Sequence, residues 1–221
     1  MSRVRDAFGF LFGAWRLRPR SKRILSAVSI LLALAGAGML SYPFMTDIYS
    51  RSKQSRLADE FSSPDFRTAY RLRQVDPGQV LTRIKIDAIS VDALIVEGTD
   101  SRALRAGAGH YRKTALPCEF GNVSIAGHRN TYGEPFNRLD ELVEGDVIEL
   151  LTPDRSCTYK ILDGPVRSRR PTAGAAGWIT HPQDVGVIAP LDGFFLTLTT
   201  CHPENSSSER LIIRAQLIAS S

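Results

Sequence analysis

Cysteine is scarce in this chain of 221 residues: three, at positions 118, 157 and 201. No Cys-x-x-Cys pair occurs, and the four histidines show no His-x-x-x-His spacing, so the patterns that build zinc sites are missing and no metal or cofactor is expected. Lysine is nearly as sparse, with five residues against 23 arginines. The net charge is only +5, and much of it comes from Arg3, Arg5, Arg16, Arg18, Arg20, Lys22 and Arg23. Beyond that segment the balance is close to neutral, which leaves no basic face for nucleic acid. Repeats, low-complexity tracts and a regular βαβ alternation are also absent, which excludes a solenoid and a doubly wound α/β domain. What remains is 43% hydrophobic, enough to build a real core.

Charge disappears altogether between Ile24 and Thr46. A bilayer core needs about 20 apolar residues in a helix, and this run meets that length. The cations before it favour a cytoplasmic N-terminus, although Arg51, Lys53 and Arg56 follow. A cleaved signal peptide has a shorter core and a small-residue cleavage site, so a retained anchor is the better reading. The expected organisation is a basic cytoplasmic tail (1–23), a transmembrane anchor (24–46), a polar stalk or linker (47–78) and a catalytic domain (79–221). Phe8, Phe10, Phe12 and Trp15 in the tail suit either a surface-lying amphipathic helix or an unstructured segment. The stalk is expected to be partly helical near residues 56–70. It ends on the turn signal Asp76-Pro77-Gly78.

From residue 80 onward the signals are of short strands, at 81–86, 91–96, 123–126, 147–151, 158–162, 185–188, 194–200 and 211–217. A brief helix at 99–106 is bracketed by Asp100 and Gly107. Eight short strands, one helix and turn residues between them predict an all-β fold, a closed or nearly closed antiparallel-rich barrel. Cys118 and Cys157 are read as two small buried residues in preference to a disulfide. An odd cysteine count outside the cell leaves a free thiol, assigned to Cys201.

Three residues carry the chemistry. The run Phe194 to Cys201 alternates so that Phe195, Thr197, Thr199 and Cys201 share the less apolar face, and the thiol ends the strand beside a polar loop. A symmetric hairpin register sets position 201 opposite 210 and position 197 opposite 214. Arg210 is then the cation near the sulfur, a permanently charged donor suited to a developing oxyanion. Arg214 is expected to be a solvated or ion-paired side chain. A thiolate is the nucleophile, and it needs an acid/base partner. His128, at the end of an apolar run and before a polar loop, is that candidate. His110 is read as lining the site or capping the preceding helix. His181 is read as an exposed turn residue, and His202 as a poor partner because adjacent strand residues face opposite ways.

These segments are recognisable. Thr197-Leu198-Thr199-Thr200-Cys201 resembles the TLxTC signature of sortases, the membrane-anchored transpeptidases of Gram-positive bacteria. The segment Gly127-His128-Arg129, continuing to Leu139, is similar to the one that carries the sortase histidine, and Glu209-Arg210-Leu211-Ile212-Ile213-Arg214 to the strand that opens with the sortase arginine. The likeness covers about residues 80–217. It implies an eight-stranded sortase-type barrel, with Cys201, His128 and Arg210 as nucleophile, acid/base and oxyanion stabiliser. It further implies cleavage of an LPxTG-like sorting signal between Thr and Gly through a thioacyl-enzyme. The acceptor would be an amine of a peptidoglycan precursor such as lipid II, and the partners secreted proteins that bear the signal. Thr199, Thr200 and His110 are the substrate-binding candidates, and the loop between the strands near 162 and 185 is expected to shape the groove. Asp76-Pro77 is followed by Gly78 where a pilus-type lid has an aromatic residue, and a second apolar span is missing, which argues against a pilus-type sortase. The Gly-His-Arg segment and the arginine bias look most like class E enzymes of actinobacteria, which often prefer LAxTG. An extracytoplasmic cysteine protease using the same residues is the alternative.

Overall fold

The computed structural model describes residues 19–163 and 176–221. The tail aromatics and most of the loop after residue 162 therefore lie outside the described residues. The chain divides into two units, residues 1–42 and 43–221. The described part of the first is helical, the beginning of α1 (Pro19–Phe61). Its apolar side chains, among them Leu31, Leu34, Met39 and Leu40, are exposed. This is a helix long and apolar enough to cross a membrane by length and composition.

The second unit is built on nine strands: β1 (Val80–Ile86), β2 (Val91–Glu97), β3 (Ala108–His110), β4 (Gly121–Ala126), β5 (Val147–Leu151), β6 (Ser156–Ile161), β7 (Trp178–Thr180), β8 (Phe194–His202) and β9 (Glu209–Ser220). Eight of them close into a barrel in the order β6-β5-β1-β2-β3-β4-β8-β9, with β6–β9 pairing as the seam. The ninth, β7, hangs on the outer end of β9, opposite Arg210–Ile212, while β6 takes residues 215–220 of the same strand. Closure leaves the barrel without a free edge along that seam. The pairs β2–β3 and β4–β8 are parallel and the others antiparallel.

The expected eight-strand barrel is present, but one of its members differs. Residues 185–188, expected as a strand, form a 3-10 turn whose first amides are capped by Asp184 accepting from Gly186. Its place in the ring is taken by β3, three residues long and directly after the short helix α3 (Ser101–Ala106). That helix matches expectation: Asp100 accepts from the amides of Arg102 and Ala103, which holds its carboxyl below the usual carboxylate range, and Gly107 follows at φ 151°.

Alternation along β8 and β9 sends Leu196, Leu198, Leu211, Ile213 and Ala215 into the barrel, against Ile84, Ile125, Ile148 and Tyr159. Cys118 and Cys157 lie in this core and are bonded to each other as a disulfide, so the reading of two free buried thiols is corrected. The alternation pattern of β6 places Cys157 inward but carries no information about its partner. Outside the barrel, a second core gathers Leu57 of α1, Phe66 of α2 (Pro64–Arg71) and Val80, Leu94 and Val96. Gln54 fixes α1 there: its Nε2 donates to Leu94 O (3.0 Å) and Ala106 O (2.9 Å), and its Oε1 accepts from Leu94 N (2.8 Å). Within the expected stalk, residues 54–61 and 64–71 are thus helical, and Gln54, Leu57 and Phe66 pack on the barrel.

The disulfide spans 39 residues of sequence. Cross-linking a loop of that length stabilises a domain by about 2–4 kcal/mol, chiefly by restricting the unfolded chain. Cys118→Ser with Cys157→Ser is therefore expected to lower the unfolding free energy by that amount in urea titration. An unchanged midpoint would contradict it.

Candidate active site

Strand β8 delivers the nucleophile candidate. It runs between β4, parallel to it, and β9, antiparallel to it. On the β9 side Cys201 pairs with Arg210 and Thr197 with Arg214, the register expected from the sequence. On the β4 side the last ladder pair is Ala126 with Thr199. Continuing that register by two residues sets His128 beside Cys201. Neighbouring strands are about 4.8 Å apart and directly paired residues share a face. Cys201 and Arg210 are thus paired on the outer face of the barrel wall, and His128 follows two residues after the end of β4, on the other side of β8. Cys201 is the free cysteine and is partly exposed.

The local sequence explains how β4 hands over to the histidine loop. Gly127 N donates to Thr199 O (3.1 Å), and Thr200 Oγ1 donates to Gly127 O (2.9 Å). A Cβ on Gly127 would fall 2.5 Å from the Phe136 ring, so only glycine lets the loop fold back this tightly. Phe136 N in turn donates to His128 O (3.2 Å). The His128 ring is half-buried and lies 5.3 Å, centroid to centroid, from Tyr132. Burial pushes its imidazole below the usual value, towards the neutral form.

Arg210 is partly exposed, and its Nη1 donates to the carbonyls of Ser207 (3.0 Å) and Glu209 (2.9 Å). Arg214 is not the solvated or ion-paired side chain expected. Its Nε donates to Thr197 Oγ1 (3.2 Å), its Nη2 to Val187 O (2.7 Å), and its guanidinium lies 5.1 Å from the centre of the Trp178 ring. The signal missed was Trp178, whose strand β7 is too short to show a pattern.

The three substrate-binding candidates fall in different environments. Thr199 shares the Cys201 face and hydrogen-bonds Tyr111 through its hydroxyl (3.1 Å). Thr200 faces inward, its hydroxyl given to Gly127 O. His110 is 1% exposed, with Nδ1 2.8 Å from Glu97 Oε2 and Nε2 2.9 Å from Ala115 O. Nε2 also lies 3.0 Å from Thr114 Oγ1, so both ring nitrogens are engaged inside the wall and neither faces the Cys201 side. His181 sits exposed in its turn, as expected. Two residues went unassigned in the sequence: Tyr111, whose adjacency to His110 carried no signal, and Arg129, the buried neighbour of His128. Among the described residues, no three His, Cys, Asp or Glu side chains converge as a metal-ligand set.

Residues 84–218 match the family described as the sortase domain. The chain belongs to the sortase family. It is 35% identical over 158 residues to sortase SrtE1 of Streptomyces coelicolor, covering 65% of this chain and 42% of that one. Among solved structures, the Clostridium perfringens sortase D5 transpeptidase superposes with a TM-score of 0.63 at 28% identity, covering 77% of this chain and 99% of that one. The S. coelicolor sortase E1, solved with a tripeptide in its active site, superposes with a TM-score of 0.56 at 34% identity, covering 66% and 92%. The chain spans between 42% and 60% of the lengths of the first three curated sortase relatives. Likeness to class E sortases, expected from the Gly-His-Arg segment, is thus present in sequence and in structure.

His128 gives a pH prediction. Its folded-state imidazole takes up a proton less readily than the ordinary value of 6.5, whereas the unfolded chain protonates near that value. The unfolded state then binds more protons just below pH 6.5, and folding stability falls there as pH is lowered. His128→Gln is expected to remove that part of the loss. Urea titrations of both proteins between pH 7.5 and about 5 would test this. Parallel curves would show that burial of the ring has no such effect.

Proposed function

We propose that this chain is a membrane-anchored cysteine transpeptidase that joins secreted proteins to a cell-wall precursor, with Cys201, His128 and Arg210 as its catalytic residues. His128 takes the thiol proton of Cys201, and the thiolate attacks the threonine carbonyl of an LPxTG- or LAxTG-like sorting signal, forming an S–C bond. Arg210 stabilises the oxyanion. As the C–N bond to glycine breaks, His128 gives its proton to the leaving amine. An amine of a peptidoglycan precursor such as lipid II then attacks the thioester. It loses a proton to His128, and Cys201 leaves as thiolate. The observation that carries this reading is the register of β8: its Cys201 pairs with Arg210 on one side, and the β4 ladder leads to His128 on the other.

Thr199, on the same outer face as Cys201, is the substrate-binding candidate that the register favours. The resemblance of the Gly-His-Arg segment to class E enzymes supports LAxTG as the preferred signal. The apolar helix supports anchoring, and the cations before it support a cytoplasmic N-terminus with the domain outside. The Cys118–Cys157 disulfide supports the same side, since such bonds persist in oxidising surroundings.

The test uses a fluorogenic sorting peptide, an amine acceptor and mass spectrometry of the products. The threonine of the peptide is expected to be ligated to the amine, with LAxTG turned over faster than LPxTG. Cys201→Ala should abolish product. Arg210→Ala should lower kcat/KM by roughly 100-fold or more with the fold intact, the scale of losing one oxyanion donor. Hydrolysis without ligation would favour the protease alternative, and activity surviving Cys201→Ala would end the proposal.

A further inference from the structure

The β4–β8 ladder stops one step short of the chemistry. Its last cross-strand contacts are Gly127 N to Thr199 O and Thr200 Oγ1 to Gly127 O. Among the described residues, the next hydrogen bonds from the histidine loop to β8 itself come from Arg129. Its Nη1 donates to Cys201 O (3.4 Å) and to His202 Nδ1 (3.1 Å). Its Nη2 pairs with Asp140 Oδ2 (2.7 Å), in the same loop region. Asn137 Nδ2 donates to the Arg129 carbonyl (2.9 Å) and tightens the loop around it. The guanidinium thus bridges the backbone of the thiol, the residue after it and the far end of the histidine loop.

This placement is costly. Arg129 is 5% exposed; among the described residues its Nε has no hydrogen-bond partner and its one ion-pair partner is Asp140, itself exposed. Desolvating a cation costs several kcal/mol, and an apolar side chain of similar volume would often serve stability as well or better. A lysine has one nitrogen and no fork, so it could not reach these partners together. The donor set therefore points to geometry rather than to stability.

We infer that Arg129 is a positioning residue of the transpeptidase reaction, holding the Cys201 end of β8 at a set distance from the loop that carries His128. Because a guanidinium only donates, it also holds His202 with Nδ1 as the acceptor, which leaves the proton on Nε2. Cys201 lies near the end of β8 and His128 in the loop after β4; among the described residues no ladder bond joins the two, and Arg129 supplies that rung. This rests on the proposed roles of Cys201 and His128.

The test compares the full chain with Arg129→Lys, Arg129→Met and Asp140→Asn. Active sites are counted from the burst of peptide cleavage, and kcat is expressed per active site. A misplacement of about 1 Å in a reacting pair costs roughly 100-fold. Arg129→Met is expected to lose about that factor in kcat per site, with peptide KM changed less than about twofold, and Arg129→Lys to recover part of the loss. The rate of Cys201 carboxymethylation at neutral pH, which needs no peptide, should fall in the same order. A lower melting temperature and fewer active sites, with kcat per site and alkylation rate unchanged, would make Arg129 merely structural and overturn the inference. If Arg129→Met does not fold, Arg129→Lys and Asp140→Asn decide on the same readouts. A wild-type chain that fails to ligate would strike the proposed function. Normal ligation with unaltered variants would strike Arg129 alone.

Discussion

The position of β8, with a parallel neighbour on one side and an antiparallel one on the other, is the constraint on which the candidate site depends. Its side chains are buried on both faces over Leu196 to Thr200, so it cannot slip. A shift of one residue would turn Leu196 and Leu198 out of the barrel and carry Thr197 and Thr199 into it. The same alternation that buries the leucines therefore fixes which face Cys201 takes. Closure through β6 and β9 then fixes β9, and with it Arg210. The candidate site is held by packing far from Cys201 itself.

The outer face of this wall is polar and hydrogen-bonded at most positions, the Ser124 hydroxyl being an exception. Thr197 Oγ1 donates to Asn122 Oδ1 (2.7 Å), and Asn122 Nδ2 donates to the carbonyls of Val187 and Ala189. Arg214 reaches Thr197 and Val187 from the other strand. Together they seat the 3-10 turn against β4, β8 and β9, with Val187 packed on Trp178 and Ile212. Buried polar groups need partners, and Asn122, Thr197 and Arg214 find theirs in one another or in a turn carbonyl. The result is a hydrogen-bonded floor on the same face as Cys201.

Much of this was legible in the residues. The hairpin register of Cys201 with Arg210 follows from strand alternation and a loop of known length, both local signals. The eight-strand count and the capped helix at 101–106 were equally local. What escaped was non-local. Strands β3 and β7 have three residues each, too few to show a period, and owe their state to long neighbours. Residues 185–188 look like a strand by composition, yet Asp184 and Gly186 cap them into a turn that Asn122 and Arg214 hold. The Cys118–Cys157 pairing depends on a loop folding back across 39 residues, which periodicity cannot report. Arg129 sat in plain view beside His128, but its meaning required the end of β8 to lie next to it in space.

Three arginines near the thiol illustrate how one residue type divides its labour. Arg214 is stacked on Trp178 and spends its donors on a hydroxyl and a carbonyl, so it belongs to the floor. Arg129 is buried beneath the strand ends and spends them on a backbone carbonyl, an imidazole nitrogen and a carboxylate. Arg210 is partly exposed, and its hydrogen bonds to the Ser207 and Glu209 carbonyls come from Nη1 alone. A guanidinium carries five N–H donors, so this arrangement still leaves Arg210 able to meet a developing negative charge. An ammonium on a flexible stem has no such fork, so lysine could not reach the separate partners of Arg129 or of Arg214 together. The preference for arginine over lysine in this chain is, around the thiol, a requirement for several donors fixed in one plane.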